Sequence, residues 1–298
     1  MKSIKNDNLP IFVSFSFGET SAFMLWLLLQ EYRGKRDIIV LFANTGQENE
    51  ETLIFGKKCA DYFNVKVVWV EAVIDMRYRV GVKHRVVNFK TAERDGKTFE
   101  KMISKLGIPN VENQYCTRDL KKYLMEHYLK SIGVNERHTA IGIRADEIDR
   151  IGNYYYPLVS LGITKKHVNH FWDKMPFRLE LEGHEGNCKW CYKKSLRKHL
   201  TLINKKPEYY DFPRRMEKLY GNFINPHRLD KLKKEGKDID LPIRFFRGNK
   251  SVDGLFELAD GFTDFVKDDS LDTEYQTSII NGFELDVSNG CVESCEIY

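Results

Sequence analysis

The residues best placed to do chemistry begin with the stretch "IFVSFSFGETSAFMLWLL", Ile11 to Leu28, which reads as an apolar strand, a small-residue loop around Gly18 and a helix. Amides at a helix start lack intrahelical partners and carry partial positive charge, so Ser16, Gly18, Thr20 and Ser21 could surround an anion such as a phosphate. Gly18 lets the backbone approach the ligand closely. Strand-glycine-helix turns also occur in domains without ligands, so the loop alone leaves both readings open.

A second set lies in "GIRADEIDR", Gly142 to Arg150. The planar donors of Arg144 and Arg150 suit phosphate or sulfate. Asp146 and Glu147 are candidate Mg²⁺ ligands through oxygen, or else part of a solvated, salt-bridged helix start. Arg118, Lys121 and Lys122 add positive charge, although a basic helix face usually serves solubility and these rank second. Arg85 and Lys90 flank a strand and turn, "VVNFKTAERDGKTF" from Val86, expected beside the same site.

Cysteine spacing supplies the third set. Cys188 and Cys191 form a C-x-x-C that brings two thiolates within reach of one metal, and Cys116 opens a predicted helix whose N-terminus favours a thiolate. The fourth ligand would come from Cys291 or Cys295, pinning the C-terminal tail to the body. An all-sulfur set accepts an iron-sulfur cluster or Zn²⁺. Cys59 sits in an apolar helical pattern and reads as a core thiol. His167 and His170 read as surface, and Trp172 and Phe177 as packing at a helix end.

The elements that must position these groups alternate. Ile11 to Ser14, Ile38 to Phe42, Val65 to Val70 and His138 to Ile141 are short β-rich runs, separated by helical stretches Ser21 to Tyr32, Glu50 to Phe63 and Arg118 to Lys130. The pattern predicts an α/β, Rossmann-like parallel sheet with helices on both faces. Ligands in such sheets sit at the carboxyl ends of strands where strand order reverses, so the Ser16 loop and Asn44-Thr45-Gly46 should converge on one crevice. Beyond Leu200 the alternation fades, which predicts an α/β domain over 1–204 and a small irregular subdomain over 205–298. Within it "KKPEYYDFPRRMEKLYGNF" supplies one helix, and "KKEGKDIDLPIRFFRGNKSVDGLFELADGF" reads as turns and short pieces.

At 298 residues, with 42% hydrophobic and 13% aromatic residues, the chain can bury a large core, which excludes general disorder. No apolar run reaches spanning length and the polar "MKSIKNDNLP" start lacks a secretory stretch, so a cytoplasmic protein with no membrane partner is expected. In that reducing setting six cysteines point to metal or thiol chemistry rather than disulfides. Net charge is +4, yet Ser251 to Tyr298 carries twelve acidic residues against one lysine, so the body is distinctly basic. A basic body suits nucleotide phosphates or a nucleic-acid partner. The acidic tail is expected to be solvated, the alternative being that it folds over the basic face.

Five segments in order resemble the phosphoadenosine phosphosulfate (PAPS) reductase-like branch of the PP-loop, or N-type, ATP pyrophosphatases. They are "SFSFGETSA" at Ser14 to Ala22, "FANTGQENEET" at Phe42 to Thr52, "YCTRDLKKYL" at Tyr115 to Leu124, "AIGIRADEIDR" at Ala140 to Arg150 and "GNCKWCYKKS" at Gly186 to Ser195. The phage-type members, which also carry "PLVSLGITKKHVNHFW"-like and "PF" segments, are the variety it resembles most. The resemblance implies a PP-loop fold and an adenine nucleotide, ATP or PAPS. It would lie against Ser14, Ser16, Phe17, Gly18, Glu19, Thr20 and Ser21, with Phe42, Asn44, Thr45 and Gly46 near base and ribose, and Gly142, Arg144 and Arg150 opposite. It also implies a [4Fe-4S] cluster, placed ahead of Zn²⁺, on Cys116, Cys188, Cys191 and Cys295. This chain keeps only Cys116, preceded by Tyr115, where the family has a cysteine pair.

The loop departs from the pyrophosphatase pattern SGGKDS, with Phe17, Glu19 and Thr20 replacing the first Gly, the Lys and the Asp. Glu19 is therefore expected to repel the outer phosphates of ATP. Three functions follow from the resemblance. One is action at the α-phosphate, splitting ATP to adenylate a nucleic-acid or small-molecule acceptor, with Arg144, Asp146 and Glu147 catalytic and sulfur transfer as an extension. Another is reduction of PAPS or adenylyl sulfate to sulfite by the tail thiol Cys295, with a thioredoxin-like reductant. The last is a nucleotide-binding module without turnover, and the chain leaves room for a homo-oligomer.

Overall fold

The computed structural model describes residues 4, 7–77, 79–186, 188–236, 238 and 240–272. Cys291 and Cys295, and most of the acidic tail, lie outside the described residues.

The apolar runs become strands β1 (Ile11–Ser14), β2 (Ile38–Asn44), β3 (Val67–Val73) and β5 (His138–Ala140), all mutually parallel. All four residues of β1 are buried, as expected of a central strand covered on both faces. Strand β4 (Lys83–Val87) pairs antiparallel with β3, so the sheet is mixed rather than wholly parallel, in the order β4-β3-β2-β1-β5. Its "KHRVV" sequence is largely solvent-facing, which suits an edge and hides it from any search for continuous apolar runs.

Helices cover both faces. On one, α1 (Glu19–Tyr32) and α2 (Glu50–Tyr62) bury Met24, Leu25, Leu53 and Phe55 against Val13, Val40 and Phe42. On the other, α3 (Lys97–Leu106) packs with a longer helix against Phe12, Leu41 and Val70. That helix runs as α4 (Tyr115–Thr117), a wider π turn at Arg118–Lys122, and α5 (Tyr123–Ser131). π turns inside α-helices re-aim side chains and occur often at functional sites.

After β5 come a 3₁₀ turn at Ala145–Arg150, α6 (Pro157–Ser160) and α7 (Lys165–Asp173). Then follow α8 (Leu196–Lys205), α9 (Asp211–Tyr220), α10 (Pro226–Lys234) and α11 (Val252–Ala259). Helix α11 corrects the expectation of turns and short pieces over 233–262, and α10 lies almost wholly before that segment. Each has a side-chain cap, Asn225 accepting from the His227 amide and Ser251 from the Gly254 amide. Met216, Ile243, Phe245, Val252 and Leu255 join the same buried cluster as Phe12 and Leu41.

The backbone of the acidic segment's described part is held to the body while its acidic side chains remain exposed. Asn169 Nδ2 donates to the carbonyls of Asp269 and Asp272, at 2.8 Å each, and Arg178 Nη2 to that of Ser270 at 2.6 Å. No helix among the described residues is long and apolar enough to cross a membrane.

Candidate functional site

Strand β1 pairs with β2 on one side and β5 on the other, Ile11 standing opposite both Ile38 and His138. The chain fills β2 and β3 to one side before returning to β5, so strand order reverses between β1 and β5. Their carboxyl ends open the crevice where an open α/β sheet takes its ligand. Ser14 to Ser16 leave β1 there, and Gly142 to Arg144 leave β5.

The first loop is built on Phe17, which has a left-handed backbone at φ 62°. Such a conformation costs a side-chain-bearing residue about 1–3 kcal/mol unless packing enforces it. Packing does so here, because the fully buried ring stacks on Phe42 at 3.7 Å and lies so close to Gly56 that a Cβ there would sit 2.2 Å from it. The side chains of Phe17 and Phe42 thus anchor the loop from the core. Gly18 is the N-cap of α1, extended and without a side-chain cap. Ser16 and Ser21 hydroxyls lie 3.0 Å apart, Ser21 Oγ donates to the Gly18 carbonyl, and Ser16, Gly18 and Thr20 remain half-buried at the crevice.

Glu19 does not face this corner, which corrects the expectation that it repels phosphate. Its carboxylate receives Arg178 Nε and Nη2 at 3.2 Å each and the Leu179 amide at 3.3 Å, while Trp172 Nε1 donates to its carbonyl at 2.9 Å. Burial pushes the Glu19 carboxyl up, and Arg178 pulls it the other way. Glu19 ties α1 to the segment after α7.

Arg144 enters from β5. Its Nη1 donates to Thr20 Oγ1 at 3.3 Å, and its Nε to Asp146 Oδ1 at 3.0 Å. Glu147 accepts from the Arg144 amide and pairs with both Arg144 and Arg150. Burial disfavours the Arg144 charge, but Glu147 and Asp146 outweigh it and hold the guanidinium above its ordinary value. Asp146 and Glu147 are engaged in ion pairs with Arg144 and Arg150, the salt-bridged arrangement. Gly142 is buried beneath this turn.

The loop after β2 is held from within. Asn44 Nδ2 donates to Glu71 Oε1 at 2.6 Å and to the Glu93 carbonyl at 2.8 Å. Glu48 accepts from the Thr45 amide and hydroxyl at 3.0 and 2.7 Å, and Gly46 adopts φ 73°, where a Cβ would meet Gly96. Arg85 is occupied with Glu71 at 2.7 Å. Between this loop and the first lies a narrow recess of about 20 Å³, lined by Ser14, Ser16, Phe42, Glu48, Thr52, Lys121 and Cys188. The Thr52 hydroxyl is buried and has no hydrogen-bond partner among the described residues. An unmet buried hydroxyl costs about 1–3 kcal/mol, which a polar atom of a bound molecule would recover.

The cysteines divide. Cys188 and Cys191 pack against each other, whereas Cys116 Sγ lies 3.4 Å from the Tyr192 hydroxyl. Among the described residues no three His, Cys, Asp or Glu side chains are grouped so as to hold a metal ion. The C-x-x-C pair fits two ligands of a metal; Cys116 is not gathered with it, and Cys295 lies outside the described residues. Cys59 is fully buried in α2, its thiol pushed far up by burial and by Glu19.

The chain is 29% identical over 301 residues to the uncharacterized nin region protein ORF290 of Escherichia phage lambda, an alignment covering 96% of this chain and 94% of that protein. No protein-family model matches the chain.

Several residues at or beside the crevice carry no signal by spacing. Arg178 lies 159 positions from Glu19, and nothing local announces the pair. Glu48 and Thr52 fall inside the segment "FANTGQENEET", but singling them out requires the turn that folds Glu48 back onto Thr45. Lys121 is aimed at the recess by the π turn, a departure from helical periodicity that the sequence does not reveal.

Proposed function

We propose that this chain is a PAPS reductase-like nucleotide enzyme that holds an adenine nucleotide at the β1/β5 crevice and acts at its α-phosphate. The observation that carries the reading is the convergence of the uncapped α1 N-terminus and Arg144 on the point where strand order reverses. Helix amides and a guanidinium lie at the same edge of the sheet, Arg144 Nη1 reaching Thr20 Oγ1 in the first turn of α1. That is the arrangement needed to stabilise negative charge as an α-phosphate is attacked.

Base and ribose would occupy the side of β2, with the Thr52 hydroxyl available to a ribose oxygen. Ser16 and Ser21 hydroxyls and the Gly18 to Ser21 amides would contact phosphate, with Arg144 opposite and Arg150 held behind it by Glu147. Asp146 and Glu147 keep the arginines in place, and no step is assigned to Mg²⁺ through them. Attack of an acceptor on the α-phosphate of ATP would give adenylated acceptor and pyrophosphate. The basic body favours a nucleic acid as that acceptor.

The test offers ATP with Mg²⁺, with and without tRNA or duplex DNA, and measures pyrophosphate. A parallel reaction offers PAPS with a dithiol and measures sulfite. Pyrophosphate dependent on the acceptor supports the reading. Sulfite alone assigns the reductase branch, and failure to bind either nucleotide in equilibrium dialysis overturns the reading.

A further inference from the structure

The C-x-x-C sits at the recess wall, and its backbone has a specific shape. The Cys191 amide donates to the Cys188 carbonyl at 3.2 Å, closing a four-residue turn. Turns of this kind keep their outer Cα atoms within about 7 Å, overlapping the roughly 4.4–6.8 Å that a disulfide spans. The two side chains are in contact within their own small buried cluster.

The turn is braced from both ends. The Lys189 amide donates to the Gln47 carbonyl at 3.0 Å and Trp190 Nε1 to Gln47 Oε1 at 2.5 Å. The Lys194 amide donates to the Cys191 carbonyl at 2.9 Å, and its buried ammonium to the carbonyls of His184 and Gly186. Cys188 alone of the two lines the recess, where its Sγ lies 3.6 Å from Thr45 Oγ1 and donates to Glu48 Oε1 at 3.9 Å.

We propose that Cys188 and Cys191 are a thiol–disulfide couple at this wall, exchanging with an external disulfide or dithiol, and that Cys188 is the attacking sulfur. The Cys188 thiolate attacks one sulfur of a disulfide R–S–S–R. The Cys188–S–R bond forms as the S–S bond breaks and RS⁻ leaves. The Cys191 thiolate then attacks the Cys188 sulfur, closing Cys188–Cys191 and releasing the second RS⁻. The two thiol protons end on two R–SH, and the two electrons lost by the cysteine pair reduce R–S–S–R; a dithiol reverses every step. The inference stands apart from the nucleotide reading, since it needs only the turn and the recess.

The full chain is equilibrated in buffers of reduced and oxidised glutathione, quenched with an alkylating reagent and mapped by peptide mass spectrometry. A single two-electron transition with Cys188 linked to Cys191 is expected, and in Cys191→Ser a glutathione adduct should accumulate on Cys188. Alkylation of both thiols across the whole range overturns the proposal, as does a Cys188 bond to any cysteine other than Cys191. Stoichiometric iron or zinc after anaerobic purification, lost when either thiol is replaced, also overturns it. Mapping the wild-type chain decides the matter even if a variant fails to fold.

Discussion

Arg144 Nη1 lies 3.3 Å from the hydroxyl of Thr20, so the segment leaving β5 is hydrogen-bonded to the first turn of α1 across the point where strand order reverses. The contact spans 124 positions of sequence and closes one side of the crevice. Thr20 is a neutral partner, and the same nitrogen lies 3.3 Å from Glu147 Oε2, so an anion here would meet a guanidinium already held by carboxylates.

Replacing Arg144 with Ala should weaken ATP or PAPS binding about tenfold to a hundredfold, the range for losing a hydrogen bond to a charged group. Arg144→Lys should recover only part of this, because an ammonium does not reproduce two parallel donors. Isothermal titration calorimetry reads both. Unchanged affinity in Arg144→Ala would place the anion elsewhere.

The loop's shape depends on a residue that never reaches the crevice. Gly56 leaves room for the Phe17 ring, and Gly56→Ala would put a methyl group 2.2 Å from it. The ring would have to leave its stack on Phe42, at a cost of about 1–3 kcal/mol for an overpacked core. A lower urea midpoint and weaker nucleotide binding should appear together. Weaker stability with unaltered binding would show that Phe17 does not set the loop.

The parts of this architecture legible in the sequence are those written in local pattern. Ile11 to Ser14 and the start of β2 read as strands because central parallel strands are buried on both faces and need unbroken apolar runs. Glu19 was legible as a charge but not as a partner of Arg178, since the pair depends on how α7 lies over α1. Asn44 read as a ligand-facing residue, and the structure uses its side chain to tie β2 to Glu71. Helix α11 could have been read from Ser251 followed by Asp253, a start signal obscured by Gly254 inside the helix.

His199 is fully buried with Nδ1 2.7 Å from the Tyr210 hydroxyl, and burial, with Lys194 and Arg247, lowers its pKa from 6.5 to about 3. The folded state thus keeps the ring neutral where the unfolded chain would protonate it. Stability from this residue is complete above pH 6.5 and is lost as pH falls from there toward about 3. Urea midpoints should fall more steeply over that window in the wild type than in His199→Gln. Parallel pH profiles would mean that another group sets the acid limit.

Thr52 separates the needs of folding from those of binding. Its hydroxyl is buried at the recess without a partner among the described residues, so in the unliganded protein it is a polar group desolvated for no internal return. Thr52→Val keeps the shape and removes the hydroxyl, and should raise unliganded stability by about 1 kcal/mol. If a ribose oxygen occupies the recess, the same change should weaken ATP binding by about threefold to tenfold, the worth of one neutral hydrogen bond. Thermal unfolding without and with ATP measures the two effects on one sample, because the ligand-induced rise in Tm shrinks as affinity falls. A variant that is more stable and binds ATP as well as the wild type would place the ribose outside this recess. A variant that is less stable would show that the hydroxyl is already satisfied by water.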